Sequence, residues 1–394
     1  MYQLSGDLQN FSVDKIADLK NKRIVLRACL NVTVDKEGKV IDATRIDESI
    51  KTIKYLAENA KQVTILAHLG RPESYSKELS FWNVHQVLQE KLGQEIEFVL
   101  FQNSPKNLEA KIILGDNIRF FKEEESKDPD TRMNFAKDLA QFGEVFVNDA
   151  FADYRESAST YDIAKILPSY LGYKFIEEVE ALSKFSNAAN LVSVLGGAKL
   201  SEKLDALKAL AGISEKVVIG GAMAYTLLKA KGVNIGNSLY EEDKLSLAKE
   251  ILNNYENKLV LPVDHLIASE FNEVASKSAH VTLDEQVPDN TVAIDIGSKT
   301  TELFVQTISG AKNILWNGPM GVFEWETSAA GTLAVGKAIS QNSSVYKLAG
   351  GGDSIAAINK LGLTGFNHIS TGGGAMLAFI AYNEFPTLDI VINQ

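Results

Sequence analysis

LVSVLGGAKLSEKL, residues 191–204, sets three signals side by side: an unbroken apolar run, a glycine pair and a segment with helical spacing. A short apolar run that ends in glycine and leads into an amphipathic segment reads as a buried strand turning into a helix. That is the repeating unit of an α/β chain with parallel sheets. The same grammar recurs in KVVIGGAM (216–223), KLAGGGDS (347–354) and HISTGGGA (368–375). Glycine turns at strand ends let a phosphate approach backbone N–H groups and the positive end of the following helix.

The first half carries comparable runs with different ends. RIVLRACLNV (23–32), QVTILAHLGR (62–71), IILGDNIRF (112–120) and EVFVNDAF (144–151) close on Asn, His, Arg or Asp. Ends rich in arginine suit a small, strongly anionic ligand. Strict alternation is expected along 23–32, with Arg27, Cys29 and Asn31 on one face. Any single arginine reads most simply as a surface ion-pair partner. Arg45, Arg71, Arg119 and Arg155 all lie near run ends and together point to an anion site. The change of character near residues 170–190 marks a domain boundary. Across it, KFIEEVEALSKF (174–185) places Phe175, Ile176, Val179, Leu182 and Phe185 on one stripe, as a connecting helix would. The tail after Gly374 is too apolar to hang free and is expected to dock.

With 394 residues, 45% apolar and 23% charged, the chain is long enough for two sizeable domains. A net charge of −11 and a pI near 5.1 argue against nucleic-acid or membrane-surface partners. The single cysteine, Cys29, excludes an internal disulfide framework and CxxC metal sites. No signal-like start and no apolar run near 20 residues is visible, so a cytoplasmic location is expected. There is no Walker P-loop, no GxGxxG and no HExxH. Lys199 and Lys203 are spaced i, i+4 at the start of the expected helix 200–210, and read either as solvated lysines or as phosphate ligands. Asp353, after three glycines, reads as a helix N-cap or as a magnesium ligand.

GGAKLSEK, GGAMAYT, LPVD (261–264), DIGSKT (295–300), WNGPMGVFE (316–324), GGGDS and HISTGGGA, in this order, resemble the phosphoglycerate kinase family. LRACLNV, DATRI (42–46), AHLGRP and VNDAF (147–151) agree, so the resemblance covers nearly the whole chain. It implies two doubly wound parallel-sheet α/β domains joined by a helix, with the C-terminal tail returning to the first. The boundaries expected are 1–172 plus 378–394 for phosphoglycerate binding, 173–186 for the connecting helix and 187–377 for nucleotide binding. It also implies reversible phosphoryl transfer between 1,3-bisphosphoglycerate and ADP with Mg²⁺, in glycolysis, by a monomer whose partners are small molecules. Cys29, Asn31, Arg45, His68, Arg71, Arg119 and Arg155 would line the acid site, with Arg45 and Lys199 catalytic. Lys203, Gly220, Gly221, Gly297, Asn317, Glu324, Gly351, Gly352, Asp353 and Ser354 would bind nucleotide, with Asp353 holding Mg²⁺.

The departures from the family pattern gather on the acid side. Where the family usually reads Arg-x-Asp-x-Asn, this chain reads Arg27-Ala28-Cys29-Leu30-Asn31, so the acid that the resemblance implies for the substrate hydroxyl is Cys29. The usual Pro is Thr33, and the usual Gly-Thr-Ala-His-Arg-Ala-His is ADYRES (152–157), which keeps Arg155 and lacks both histidines. Two smaller changes are Ala222 for Gly and Ala378 for Glu. A lost hydrogen bond to a charged acceptor costs about 1.5–3 kcal/mol, hence a weakened enzyme unless Asp153 or Glu156 takes over. A paralogue that only binds nucleotide, and a kinase for another carboxylate, are the competing readings. Cys29, flanked by arginines and His68, is expected to be a reactive thiol with a depressed pKa.

Overall fold

The computed structural model describes residues 6–101, 108–185, 188–382 and 384–394. The chain divides into two compact units, Leu4–Glu180 with Glu384–Gln394, and Ala181–Asn383. In the first unit six parallel strands run Glu97–Val99, Ile112–Gly115, Gln62–Leu66, Arg23–Arg27, Val145–Asn148, Ser169–Leu171 across the sheet. Arg23–Arg27 is central, and the chain crosses first to one side of it and then to the other. Its carboxyl end is therefore the topological switch point, where α/β sheets open a crevice for ligands.

The central strand stops at Arg27, and Cys29 and Asn31 lie in the loop beyond it, not on a strand face. A strand flanked by parallel neighbours is covered on both sides. Ile24, Val25 and Leu26 are accordingly all fully buried, and alternation carried no strand signal there. Helix Thr44–Asn59 buries Ile46, Ile53, Leu56 and Ala57, the face that its spacing indicates. The tail docks on this unit. Helix Pro386–Ile392 is preceded by Phe385, which stacks on Phe151 with ring centres 5.2 Å apart, and Gln394 Oε1 accepts from Ser169 N at 2.8 Å.

The second unit repeats the plan, with parallel strands ordered Leu259–Val260, Lys216–Ile219, Leu191–Leu195, Asn313–Asn317, Tyr346–Gly350, His368–Ser370. Its switch point lies between Leu191–Leu195 and Asn313–Asn317. A small antiparallel sheet, His280–Val281, His265–Ala268 and Val292–Ile296, is added to it. Helix Tyr173–Ser183 carries the apolar stripe, with Phe175, Ile176, Val179 and Leu182 buried. Its expected end at 186 falls outside the described residues.

One helix starts later than its spacing suggests, at Leu204 instead of 200. Ser201 N donates to Glu241 Oε2 at 2.9 Å, which holds residues 201–203 as a turn. Lys199 and Lys203 consequently share no helical face.

Candidate functional site

Cations converge at the switch point of the first unit. Arg27, only 2% exposed, donates from Nε to Ser159 Oγ at 2.9 Å and from Nη1 to Ala28 O at 2.7 Å. Its Nη2 lies 3.0 Å from both His68 Nδ1 and Asp153 Oδ2, and Asp153 Oδ2 is also 3.2 Å from His68 Nδ1. Arg119 donates to Gly70 O at 3.0 Å and pairs with Glu125 at 2.7 Å, and its Nη2 is 3.9 Å from Asp153. Gly70 N in turn donates to Asn31 Oδ1 at 2.8 Å. Arg45 Nη1 donates to Cys29 Sγ at 3.0 Å. The ends of four adjacent strands and the loops after them thus bring Arg27, Asn31, His68, Arg119 and Asp153 together. Arg71 and Arg155 are exposed on the same loops, Arg155 resting over the Tyr154 ring.

The electrostatics follow from burial and from the guanidiniums. Burial lowers His68, outweighing the upward pull of Asp153. Burial alone would raise Asp153, yet His68, Arg27 and Arg119 hold it far below the usual carboxylate range. Cys29 contradicts the expectation of a depressed, reactive thiol. Burial pushes it up, and Arg45 and Arg27 only partly offset that. It is a shielded sulfur, not a poised nucleophile.

Glu124 and Ser159, neither with a signal in the sequence, brace this cluster. Glu124 is buried and accepts from Ser157 Oγ at 2.8 Å, Ser159 Oγ at 2.6 Å and Ser159 N at 3.1 Å. Ser159 Oγ therefore donates a hydrogen bond to Glu124 and accepts one from Arg27 Nε. Arg27 is aimed by a carboxylate that it does not touch. Burial raises Glu124 to about 7 despite the opposing pull of Arg27. Glu156, in contrast, pairs with Arg132 at 2.9 Å on the surface.

The second unit gathers glycine turns at its own switch point. Gly221 has φ +66°, and a Cβ there would sit 2.5 Å from Gly197 N, so the turns after two adjacent strands touch backbone to backbone. Gly373 is as tightly placed, its would-be Cβ 2.5 Å from Gly351 Cα. Asn317 Nδ2 donates to Gly350 O at 2.6 Å while its buried Oδ1 has no partner among the described residues. Ser354 Oγ accepts from Gly318 N at 2.7 Å and donates to Gly350 O at 2.8 Å, tying the two loops together. Asp353 is exposed in the first turn of helix Gly352–Lys360. The N-cap is Gly351, so the capping reading of Asp353 fails. Gly220 packs against Met320, and Gly297 against Asp264, whose carboxylate accepts from Lys299 N and Thr300 N. Lys199 and Glu324 are exposed.

Lys203 turns inward, its Nζ donating to Gly196 O and to Asn317 O. Burial lowers it to about 8 from an ordinary 10.5, although Asp353 pulls it upward. A lysine depressed in the folded state leaves the unfolded chain binding more protons between those two values, so stability rises with pH across that window. Relative to Lys203→Met, the unfolding free energy of the natural chain should climb from pH 8 to pH 10. A flat difference in denaturant titrations would refute this assignment.

A cation-lined crevice in one parallel sheet, and glycine turns leading to helix N-termini in the other, define an α/β kinase for a small acid. The phosphoglycerate kinase family model matches residues 13–382. A phosphoglycerate kinase of Thermosipho africanus is 42% identical over 96% of this chain and 96% of its own length. One from Staphylococcus haemolyticus is 40% identical over 95% and 97%. Among solved structures, phosphoglycerate kinase from Coxiella burnetii superposes with TM-score 0.84 at 35% identity, over 97% of this chain and 98% of that one. The Pyrococcus horikoshii enzyme gives 0.83 at 31%, with the same coverage. The chain belongs to the phosphoglycerate kinase family and is a kinase whose acceptor is a carboxyl group.

Proposed function

We propose that the chain transfers a phosphoryl group reversibly between 1,3-bisphosphoglycerate and ADP, giving 3-phosphoglycerate and ATP, as a glycolytic step. The observation that carries this reading is the presence of two chemistries, arginines at one switch point and glycine turns at the other, with no nucleophile–base pair at either among the described residues. Toward ATP the nucleophile is a carboxylate, already ionised at neutral pH, so no base has to activate it. What remains for the protein is positioning and positive charge around the transferring group, as a loose transition state requires. Arg45 and Lys199 supply that charge. Asn31, His68, Arg71, Arg119 and Arg155, braced by Arg27, hold the acid and its phosphate. Lys203, Asn317 and the Gly351, Gly352 and Ser354 turn surround the nucleotide phosphates, with Glu324 on the ribose and Gly220, Gly221 and Gly297 toward the nucleoside.

Mg²⁺ takes one or two protein carboxylates and fills its shell with phosphate oxygens and water. An exposed Asp353, with open space beside it at Gly352, fits that demand. When bound with the nucleotide, the ion would neutralise phosphate charge. Among the described residues no single helix is long and apolar enough to cross a membrane. The enzyme acts as a cytoplasmic monomer on small molecules, without nucleic-acid or membrane partners.

A coupled assay of the purified chain with 3-phosphoglycerate and MgATP should show turnover. No turnover at saturating concentrations of both would overturn the proposal. Calorimetry showing nucleotide binding without acid binding would do the same.

A further inference from the structure

A carboxylate in the middle of an anion site weakens every anion that enters. Asp153 is nevertheless there, its side chain 12% exposed, with Oδ2 at 3.0 Å from Arg27 and 3.2 Å from His68. Arg27 and His68 thus occupy Oδ2, whereas Oδ1 lies 3.9 Å from Arg119 Nη2 and makes no hydrogen bond among the described residues. A carboxylate oxygen that the described residues leave open is suited to a donor that arrives with the ligand.

The other candidates are unsuited. Cys29 is a buried neutral thiol, a weak acceptor already engaged by Arg45. Glu156 is drawn away by Arg132, and Glu125, 58% exposed, caps the outer side of Arg119. Val145–Asn148, which leads into Asp153, is the direct neighbour of Arg23–Arg27, which leads into Cys29. The loops after these two strands open onto one crevice, and a carboxylate on either can serve the same ligand atom. Glu124 fixes the second loop through Ser157 and Ser159, and Asp153 N donates to Ala150 O at 2.9 Å, so its position is built rather than incidental.

We propose that Asp153 is the specificity residue that accepts the hydrogen bond of the acid substrate's hydroxyl, the carboxylate having crossed from the Cys29 loop to the 152–157 loop. This rests on the phosphoglycerate reading above. The experiment compares 3-phosphoglycerate with 3-phosphooxypropanoate, the same acid without its hydroxyl, using the full-length chain.

The natural chain should prefer the hydroxylated acid. In Asp153→Ala, kcat/KM for 3-phosphoglycerate should fall about ten- to hundredfold. For the deoxy acid it should hold or rise, because a negative charge has left the site. Adding Cys29→Asp to that variant should restore the preference. The isosteric Asp153→Asn, which keeps a neutral acceptor, should fall between the two and serves if the alanine variant does not fold. Equal losses on both acids would mean that Asp153 only braces the cations, and the proposal fails. If the natural chain turns over neither acid, the function itself is overturned.

Discussion

Replacing Arg27 with methionine should lower the unfolding free energy by about 3–5 kcal/mol, because it removes one partner of a buried ion pair and leaves the others uncompensated. Methionine keeps much of the volume, so the loss reports charge and hydrogen bonding more than packing. Arg27 is 2% exposed and faces the Asp153 carboxylate directly and that of Glu124 through Ser159. Both acids would be stranded at neutral pH. The pH dependence supplies the sharper check. Asp153 is depressed by its cations, so its stabilising contribution exists at neutral pH and is lost as pH falls. Glu124 is raised to about 7 from an ordinary 4.5, so its burial costs stability as pH rises through that window. Without Arg27 the first contribution disappears and the second penalty grows. The Glu124 part vanishes as that acid protonates below about 7, whereas the Asp153 part of the natural chain persists until pH falls below the ordinary carboxylate range. The gap between variant and natural chain should therefore shrink from pH 7 to pH 4 in denaturant titrations. A gap below about 1 kcal/mol, or one that does not move with pH, would show the cluster to be solvated.

The fold was legible because a strand buried on both faces must be written as an apolar run, and a phosphate-facing turn must be written in glycine. Both constraints are local, so LVSVLGGAK announces its element and its exit together. The acid-side residues were legible for a topological reason. In a parallel sheet every strand points its carboxyl end at the same edge, and polar residues after separate runs therefore meet. What stayed hidden depended on distant partners. Glu124 sits in a run of acids that reads as a solvated face, and its serines are 33 and 35 residues away. Ser201 is held in a turn by Glu241, 40 residues on, which undid the helix that the i, i+4 lysines implied. Cys29 shows the same limit in energetic form. Neighbouring arginines are visible in sequence, but the desolvation that outweighs them belongs to the packed loop. Choosing between Asp153 and Glu156 likewise required knowing that Arg132 claims the latter.

Arg45→Ala should behave in the opposite way to Arg27→Met, with kcat falling about a hundred- to a thousandfold while stability holds or improves. Arg45 occupies the first turn of helix Thr44–Asn59, where a cation opposes the helix dipole. A residue placed against its local electrostatics serves something other than the helix. Its Nη1 donates to Cys29 Sγ at 3.0 Å, a weak acceptor that holds the guanidinium in place without neutralising it. Because the transferring group reacts with a carboxylate that needs no base, a preorganised cation is the kind of contribution that the transition state can use. Loss should accordingly fall on kcat, with nucleotide affinity unchanged. Arg45→Lys should recover only part of it, since an ammonium keeps the charge and loses the planar fork. Cys29→Ser, which leaves an acceptor at the same place, should stay near the natural rate. A kcat within tenfold of the natural chain for Arg45→Ala, or a loss confined to nucleotide KM, would place the catalytic charge elsewhere. Lys199 would then be the first residue to test.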